Sequence, residues 1–142
     1  MAGRTLTAVL LSLITANPVV ANAEAVDAVT LLERSRSRVT NIDTAALEQQ
    51  LAARPDTVMI DVRTAEEILL LGGMIDAPRT YNVPRGWLEF RIAELAPDKA
   101  TPIVVYCGRN ERSPLAAETL TALGYKDVKN YPDGFFAWRD LD

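Results

Sequence analysis

Hydrophobic positions along this chain follow two rhythms: short unbroken apolar runs, and apolar residues spaced three or four apart. Val58-Met59-Ile60 and Ile103-Val104-Val105-Tyr106 are unbroken runs bounded by turn residues, a pattern that predicts buried strands. Tyr81-Asn82-Val83, ahead of Pro84, and residues 127–131 predict two more, with residues 39–42 as an edge strand or lead-in. Helical spacing fills the intervals. Asp43 is placed to cap a helix over residues 44–53, in which Ala46, Leu47, Gln50 and Leu51 set the period. Arg54-Pro55-Asp56 stops it. Thr64-Ala65-Glu66-Glu67 has the form of a capping box opening a helix to Leu71, which Gly72-Gly73 closes. Residues 87–95 form a helix with Leu88, Ile92 and Leu95 on one face. Ser113-Pro114 predicts a helix to Leu123, with Ser at the cap and Pro in the first turn. Gly124 ends it, and residues 134–139 give a short final helix. Strands alternating with helices in this way predict an α/β domain with a mostly parallel central sheet flanked by helices.

The first 23 residues stand outside that pattern. Arg4 is followed by an apolar stretch from Leu6 to Ile14, then Pro18, then Ala21-Asn22-Ala23 as a small-x-small cleavage site. This is the form of a secretory signal, and it predicts cleavage after Ala23 and export, most simply to a periplasm. A span needs about 20 apolar residues, and Asn17-Pro18 interrupts this run too early, so no stable membrane anchor is expected. Residues 24–38 read as an N-terminal extension or linker. Val26, Val29, Leu31 and Leu32 suit a short amphipathic helix, and the run Glu33-Arg34-Ser35-Arg36-Ser37-Arg38 reads as solvated. A single domain then occupies residues 39–142.

Composition narrows the chemistry. The 142 residues fit one domain, with 49% hydrophobic and 24% charged residues. The net charge of −4 argues against a nucleic-acid partner. There is no His and a single Cys, Cys107. The absence of imidazole excludes Ser-His-Asp and Cys-His catalysis and the common zinc sites. One Cys excludes an intrachain disulfide.

Cys107 lies at the predicted C-terminal end of a buried strand, where open parallel sheets bind their ligands. The segment Cys107-Gly108-Arg109-Asn110-Glu111-Arg112-Ser113-Pro114 leads from that strand into a helix. Successive N–H groups in such a loop can curl into an anion-binding nest, and the helix start adds about half a positive charge. Gly108 and Asn110 tolerate unusual backbone angles, and Arg112 adds a cation. A free thiol near pKa ~8.5 is lowered in such surroundings. A thiolate at neutral pH is therefore expected without a His. The plainer reading of Cys107 is a small buried apolar residue.

The same segment resembles the active-site loop of the rhodanese (sulfurtransferase) family: a Cys, four loop residues, then Arg-Ser opening a helix, matched by Cys107, Arg112 and Ser113. Asp61-Val62-Arg63 with Thr64-Ala65-Glu66-Glu67 resembles the family's Asp-x-Arg segment. Gly73-Met74-Ile75 followed by Tyr81-Asn82-Val83-Pro84 is similar to its Gly-His-Ile…Asn-Ile-Pro segment, and Asp133-Gly134-Phe135-Phe136-Ala137-Trp138 to its closing Gly-Gly-x-x-x-Trp. The resemblance covers residues 39–139. It implies a three-layer rhodanese-like domain that moves a sulfane sulfur from a thiosulfate-like or persulfide donor to a thiol or cyanide acceptor, through a persulfide on Cys107. Gly108, Arg109, Asn110, Glu111, Arg112 and Ser113 would form the anion-binding loop. No metal or organic cofactor is implied.

This chain departs from the pattern in several places. Met74 stands where the family carries His, and the segment from Asp76 to Tyr81 is longer than the common form, with Arg79 as a candidate anion contact on the rim. Glu111 offsets part of the charge of Arg109 and Arg112. Asp61 and Arg63 suit either support of the loop or a structural ion pair. Arg109 suits either substrate or solvent, and Trp87 and Trp138 are expected in the core. Two other functions share these features. A phosphatase or arsenate reductase on the same fold is one, though such phosphatases have five residues between Cys and Arg, against four here. A non-catalytic or sulfur-carrying module for a partner protein is the other.

Overall fold

The computed structural model describes residues 25–141, so the expected signal segment lies outside the described residues. In chain order the elements are α1 (Ala28–Arg38), α2 (Thr44–Ala53), β1 (Val58–Asp61), α3 (Ala65–Leu71), β2 (Thr80–Asn82), a single 3-10 turn (Arg85–Trp87), α4 (Leu88–Leu95), β3 (Ile103–Tyr106), α5 (Ser113–Ala122), β4 (Val128–Asn130) and α6 (Gly134–Arg139). The four strands form one parallel sheet in the order β2-β1-β3-β4. The two central strands are the two unbroken apolar runs, and all their residues are buried, as strands covered on both faces require.

Alternation along those strands builds two cores. Val58, Ile60, Ile103 and Val105 face Leu88 and Ile92 of α4 and Ala116 and Leu120 of α5. Met59, Val104 and Tyr106 face Leu47 of α2 and Phe135 of α6. Helices therefore cover both faces, giving the expected three layers. Each fully buried apolar side chain of this kind contributes on the order of 1.5–3 kcal/mol.

Register fixes where a site can form. Asp61 at the end of β1 pairs with Tyr106 at the end of β3 and with Asn82 at the end of β2. The C-terminal ends of the strands thus share one edge, and Cys107 lies one residue past it. Arg79 is at the other edge. Its guanidinium donates to the carbonyls of Asp56 and Leu95 at 2.9 and 3.1 Å, beneath the start of β1, so it is a staple there and not a rim contact.

Local signals set most element ends. Thr64 and Glu67 make both bonds of the capping box, and Gly72 closes α3 in the left-handed conformation. Asp43 caps α2 by accepting from the Ala46 N–H. Three expectations change. Ser113 is the first helical residue of α5 and not its cap; Arg112 holds the cap position without a side-chain bond. Trp87 is 62% exposed, because the 3-10 turn hands the buried position to Leu88, whereas Trp138 packs edge-on against Tyr131. Finally, residues 28–38 are helical through the arginine run. Ser35 of that run is buried and hydrogen-bonded to Glu118 of α5, so this segment is docked and not a solvated linker.

Among the described residues, no helix is long and apolar enough to cross a membrane.

Candidate active site

Cys107 leaves β3 and is fully buried. Its carbonyl accepts the Phe135 N–H at 2.8 Å, which ties the loop to the start of α6. Gly134 makes that approach possible. It has φ +69°, and a Cβ there would sit 2.6 Å from the Gly108 oxygen and 2.8 Å from the Cys107 oxygen. Gly108 is needed for a different reason from the one expected. It has no positive φ; a Cβ would instead meet the Phe136 ring at 2.9 Å. Asn110 takes the unusual backbone angle, with φ 58°, the left-handed region in which Asn is among the tolerated residues.

Asn110 is fastened on both sides. Its side-chain oxygen accepts from Asn130 Nδ2 at 2.9 Å, and its carbonyl accepts from Arg36 Nε and Nη2 at 3.2 and 2.7 Å. The same Asn130 amide donates to Asn41 Oδ1 at 2.8 Å.

The loop surrounds the sulfur with hydrogen-bond donors. Ser113 is buried, and its Oγ lies 3.5 Å from Cys107 Sγ. Burial alone would push the thiol pKa up. The Ser113 hydroxyl and the backbone N–H groups of Arg112, Ser113 and Glu111 outweigh it, and the thiol ends below its ordinary value. No side chain caps α5, which leaves the Ser113 N–H to the sulfur.

Arg112 has a second partner besides the charge of Cys107. It forms a two-pronged ion pair with Glu67 of α3, at 2.6 and 2.7 Å. The Arg112 hydrogen bonds hold the Glu67 carboxyl down at about 2. Much of the Arg112 charge is therefore matched by Glu67, and the thiolate rests chiefly on neutral dipoles. Arg109 is exposed, with its guanidinium 5.0 Å from the Phe136 ring centre, and Glu111 is exposed beside it.

Asp61 and Arg63 form an ion pair with both side chains 0% exposed. Arg63 reaches Asp61 through Nε and Nη2 at 2.6–3.0 Å, donates to the Gly73 carbonyl at 2.7 Å and lies 3.9 Å from the Phe135 ring centre. The pair thus supports the residue that holds the Cys107 carbonyl. It touches neither the sulfur nor its donors by any hydrogen bond in the structure.

Sequence reasoning missed four participants: Glu67 as partner of Arg112, Asn130, Phe136 and Arg36. Glu67 was visible only as a capping residue, and it does both jobs: one of its oxygens accepts from the Thr64 N–H at 2.9 Å. The other three have no local signal, since each meets the loop from a distant part of the chain.

Comparison with known proteins gives the family. A model of the rhodanese-like domain matches residues 43–141. A sulfurtransferase of Allochromatium vinosum is 35% identical over 100 residues, covering 70% of this chain and 88% of that protein. Among solved structures, a polysulfide-sulfur transferase homodimer from Wolinella succinogenes aligns with a TM-score of 0.69 and 28% identity, covering 79% of this chain and 81% of that one. A Rhodopseudomonas palustris protein of unknown function, described as a possible tyrosine phosphatase, aligns with a TM-score of 0.70 and 29% identity, over 84% of this chain and 93% of that one. The chain belongs to the rhodanese-like domain family, and its relatives include sulfurtransferases.

Proposed function

We propose that this protein is a sulfurtransferase that carries one sulfane sulfur on Cys107. The observation that carries this reading is the ring of donors around a single buried sulfur: the Ser113 hydroxyl and the N–H groups of Glu111, Arg112 and Ser113. In the first half-reaction the Cys107 thiolate attacks the outer sulfur of a donor such as thiosulfate. The new S–S bond forms as the donor's own S–S bond breaks, and sulfite leaves with the electron pair. The terminal sulfur of the Cys107 persulfide now carries the negative charge, which the same donors stabilise. In the second half-reaction cyanide or a thiolate attacks that terminal sulfur, and Cys107 leaves as thiolate. Every step is an exchange of anions, so no imidazole is required.

Two features bear on the substrate. Glu111 at the loop opposes a small dianion, which favours a persulfide donor, or a sulfur delivered by a partner protein, over thiosulfate itself. The four residues between Cys107 and Arg112 make a smaller cradle than the five of the related phosphatases, which favours one sulfur atom over a tetrahedral phosphate. The phosphatase reading keeps a place because of the description of the Rhodopseudomonas relative. The N-terminal signal pattern supports export to a periplasm, with residues 1–23 removed. N-terminal sequencing of the protein recovered from its native compartment tests this; an intact Met1 overturns it.

The activity test is paired turnover. Thiocyanate formation from a sulfur donor and cyanide is expected from the wild type and absent in Cys107→Ser. Hydrolysis of an aryl phosphate without sulfur transfer would replace this reading with the phosphatase one.

A further inference from the structure

The active loop is gripped from outside by a helix beyond the matched family span, which begins at residue 43. α1 packs on α5 through polar contacts. Ser35 Oγ donates to Glu118, and Arg38 pairs with the same carboxylate at 3.0 Å. Val29 and Leu31 of this helix remain exposed and Leu32 is half-buried. With the helix seated this way, Arg36 reaches the loop and donates twice to the Asn110 carbonyl, at 3.2 and 2.7 Å.

That carbonyl shares a rigid plane with the N–H of Glu111. In a trans peptide the C=O and the following N–H point in opposite directions, and no cis bond occurs among the described residues. A guanidinium pulling the oxygen outward therefore turns the hydrogen inward. It also polarises the peptide, which strengthens the N–H as a donor. Asn110 itself sits at φ 58°, a region few non-glycine residues adopt, so a hold from outside helps to keep the loop in this form.

We propose that Arg36 is a positioning residue for Cys107: its grip on the Asn110 carbonyl aims the Glu111 N–H at the sulfur and keeps the loop in its anion-binding form. The inference rests on the sulfur-transfer reading only in taking Cys107 as the reacting atom. The role of the Glu111 N–H in lowering the thiol pKa agrees with it. The other charges around the loop are accounted for. Arg112 is paired with Glu67, Asp61 with Arg63, Arg109 lies over Phe136, and Glu111 itself faces solvent.

The test compares Arg36→Gln, Arg36→Lys and Arg38→Gln in the full chain. The readout is the pH profile of Cys107 alkylation by iodoacetamide, a neutral reagent that reports the thiolate whatever the natural substrate. Arg36 is exposed, so the expected effect is modest: about a three-fold slower reaction near neutral pH in Arg36→Gln, with the profile displaced to higher pH. Arg36→Lys keeps a charged donor and recovers part of the loss. Arg38→Gln weakens the helix docking by one ion pair and leaves the profile in place. Circular dichroism checks that each variant folds. A profile for Arg36→Gln that superimposes on the wild type overturns the proposal. An equal displacement in Arg38→Gln also overturns it, since helix docking alone would then explain the effect. If the profiles behave as expected and no donor yields sulfur transfer, the sulfur-transfer reading fails while the positioning role stands.

Discussion

Arg112 closes its ion pair on Glu67 and not on Cys107, with N···O distances of 2.6 and 2.7 Å. This bond joins the active loop to the first turn of α3. Glu67 has a folded-state carboxyl held near 2, below its unfolded value near 4.5. Its contribution is therefore complete above about pH 4.5 and is lost as pH falls toward 2. Both side chains are about one-third exposed, 35% for Arg112 and 33% for Glu67, so solvent screening reduces the contribution to about 1 kcal/mol. Urea unfolding of Glu67→Gln at neutral pH should show a loss of that size. The gap between variant and wild type should close as pH approaches 2. A gap independent of pH would contradict the ion-pair account.

Ser113 supports the sulfur directly. Replacing it by Ala removes the hydroxyl 3.5 Å from Sγ and leaves the backbone N–H groups in place. The thiolate loses a donor, so the Cys107 pKa should rise toward the ordinary thiol value. Iodoacetamide alkylation near neutral pH should slow by about three- to ten-fold, with the plateau rate at high pH unchanged. An unshifted profile would show that the N–H groups suffice.

The buried pair behind Phe135 predicts a different pattern. Arg63→Met strands the Asp61 carboxylate in the core, a change that costs about 3–5 kcal/mol. Adding Asp61→Leu should restore much of that stability, because a well-packed apolar pair avoids the desolvation cost. Chemical denaturation of the two variants distinguishes this from a general need for Arg63. No recovery in the double variant would mean that the bond to the Gly73 carbonyl, or the contact with Phe135, matters more than the pair.

Gly134 tests how tightly the loop is seated. Gly134→Ala forces a Cβ to within 2.6 Å of the Gly108 oxygen at a positive φ. The loop must move or α6 must shift, at a cost of about 2–3 kcal/mol. Gly108→Ala meets only the edge of the Phe136 ring, a side chain that can rotate. Thermal unfolding should rank Gly134→Ala as clearly the more damaging. The opposite ranking would mean that Phe136 is the firmer wall.

These contrasts show which parts of the site were legible from residues alone. Cys107, the loop after it and the left-handed Asn110 follow from strand, spacing and residue type, all local properties. So do the capping box of Thr64 and Glu67 and the two central strands. What local patterns could not show was the second end of each long side chain. Arg112 reads as a cation facing the sulfur until α3 brings Glu67 to it. Arg79 reads as a rim residue until parallel pairing places the start of β2 at the far edge. Ser113 carries the signature of a cap, yet the helix begins one residue earlier and its hydroxyl turns to the sulfur. The arginine run reads as solvated because its one buried member, Ser35, is polar and its partner Glu118 is distant in sequence.

The central claim is that Cys107 carries sulfur. Mass spectrometry of the intact protein after exposure to thiosulfate, 3-mercaptopyruvate or a small-molecule persulfide measures it directly. The account predicts an adduct of one sulfur atom that cyanide removes and that Cys107→Ser does not form. An unmodified wild type with every donor, or an adduct that survives the loss of Cys107, would contradict it.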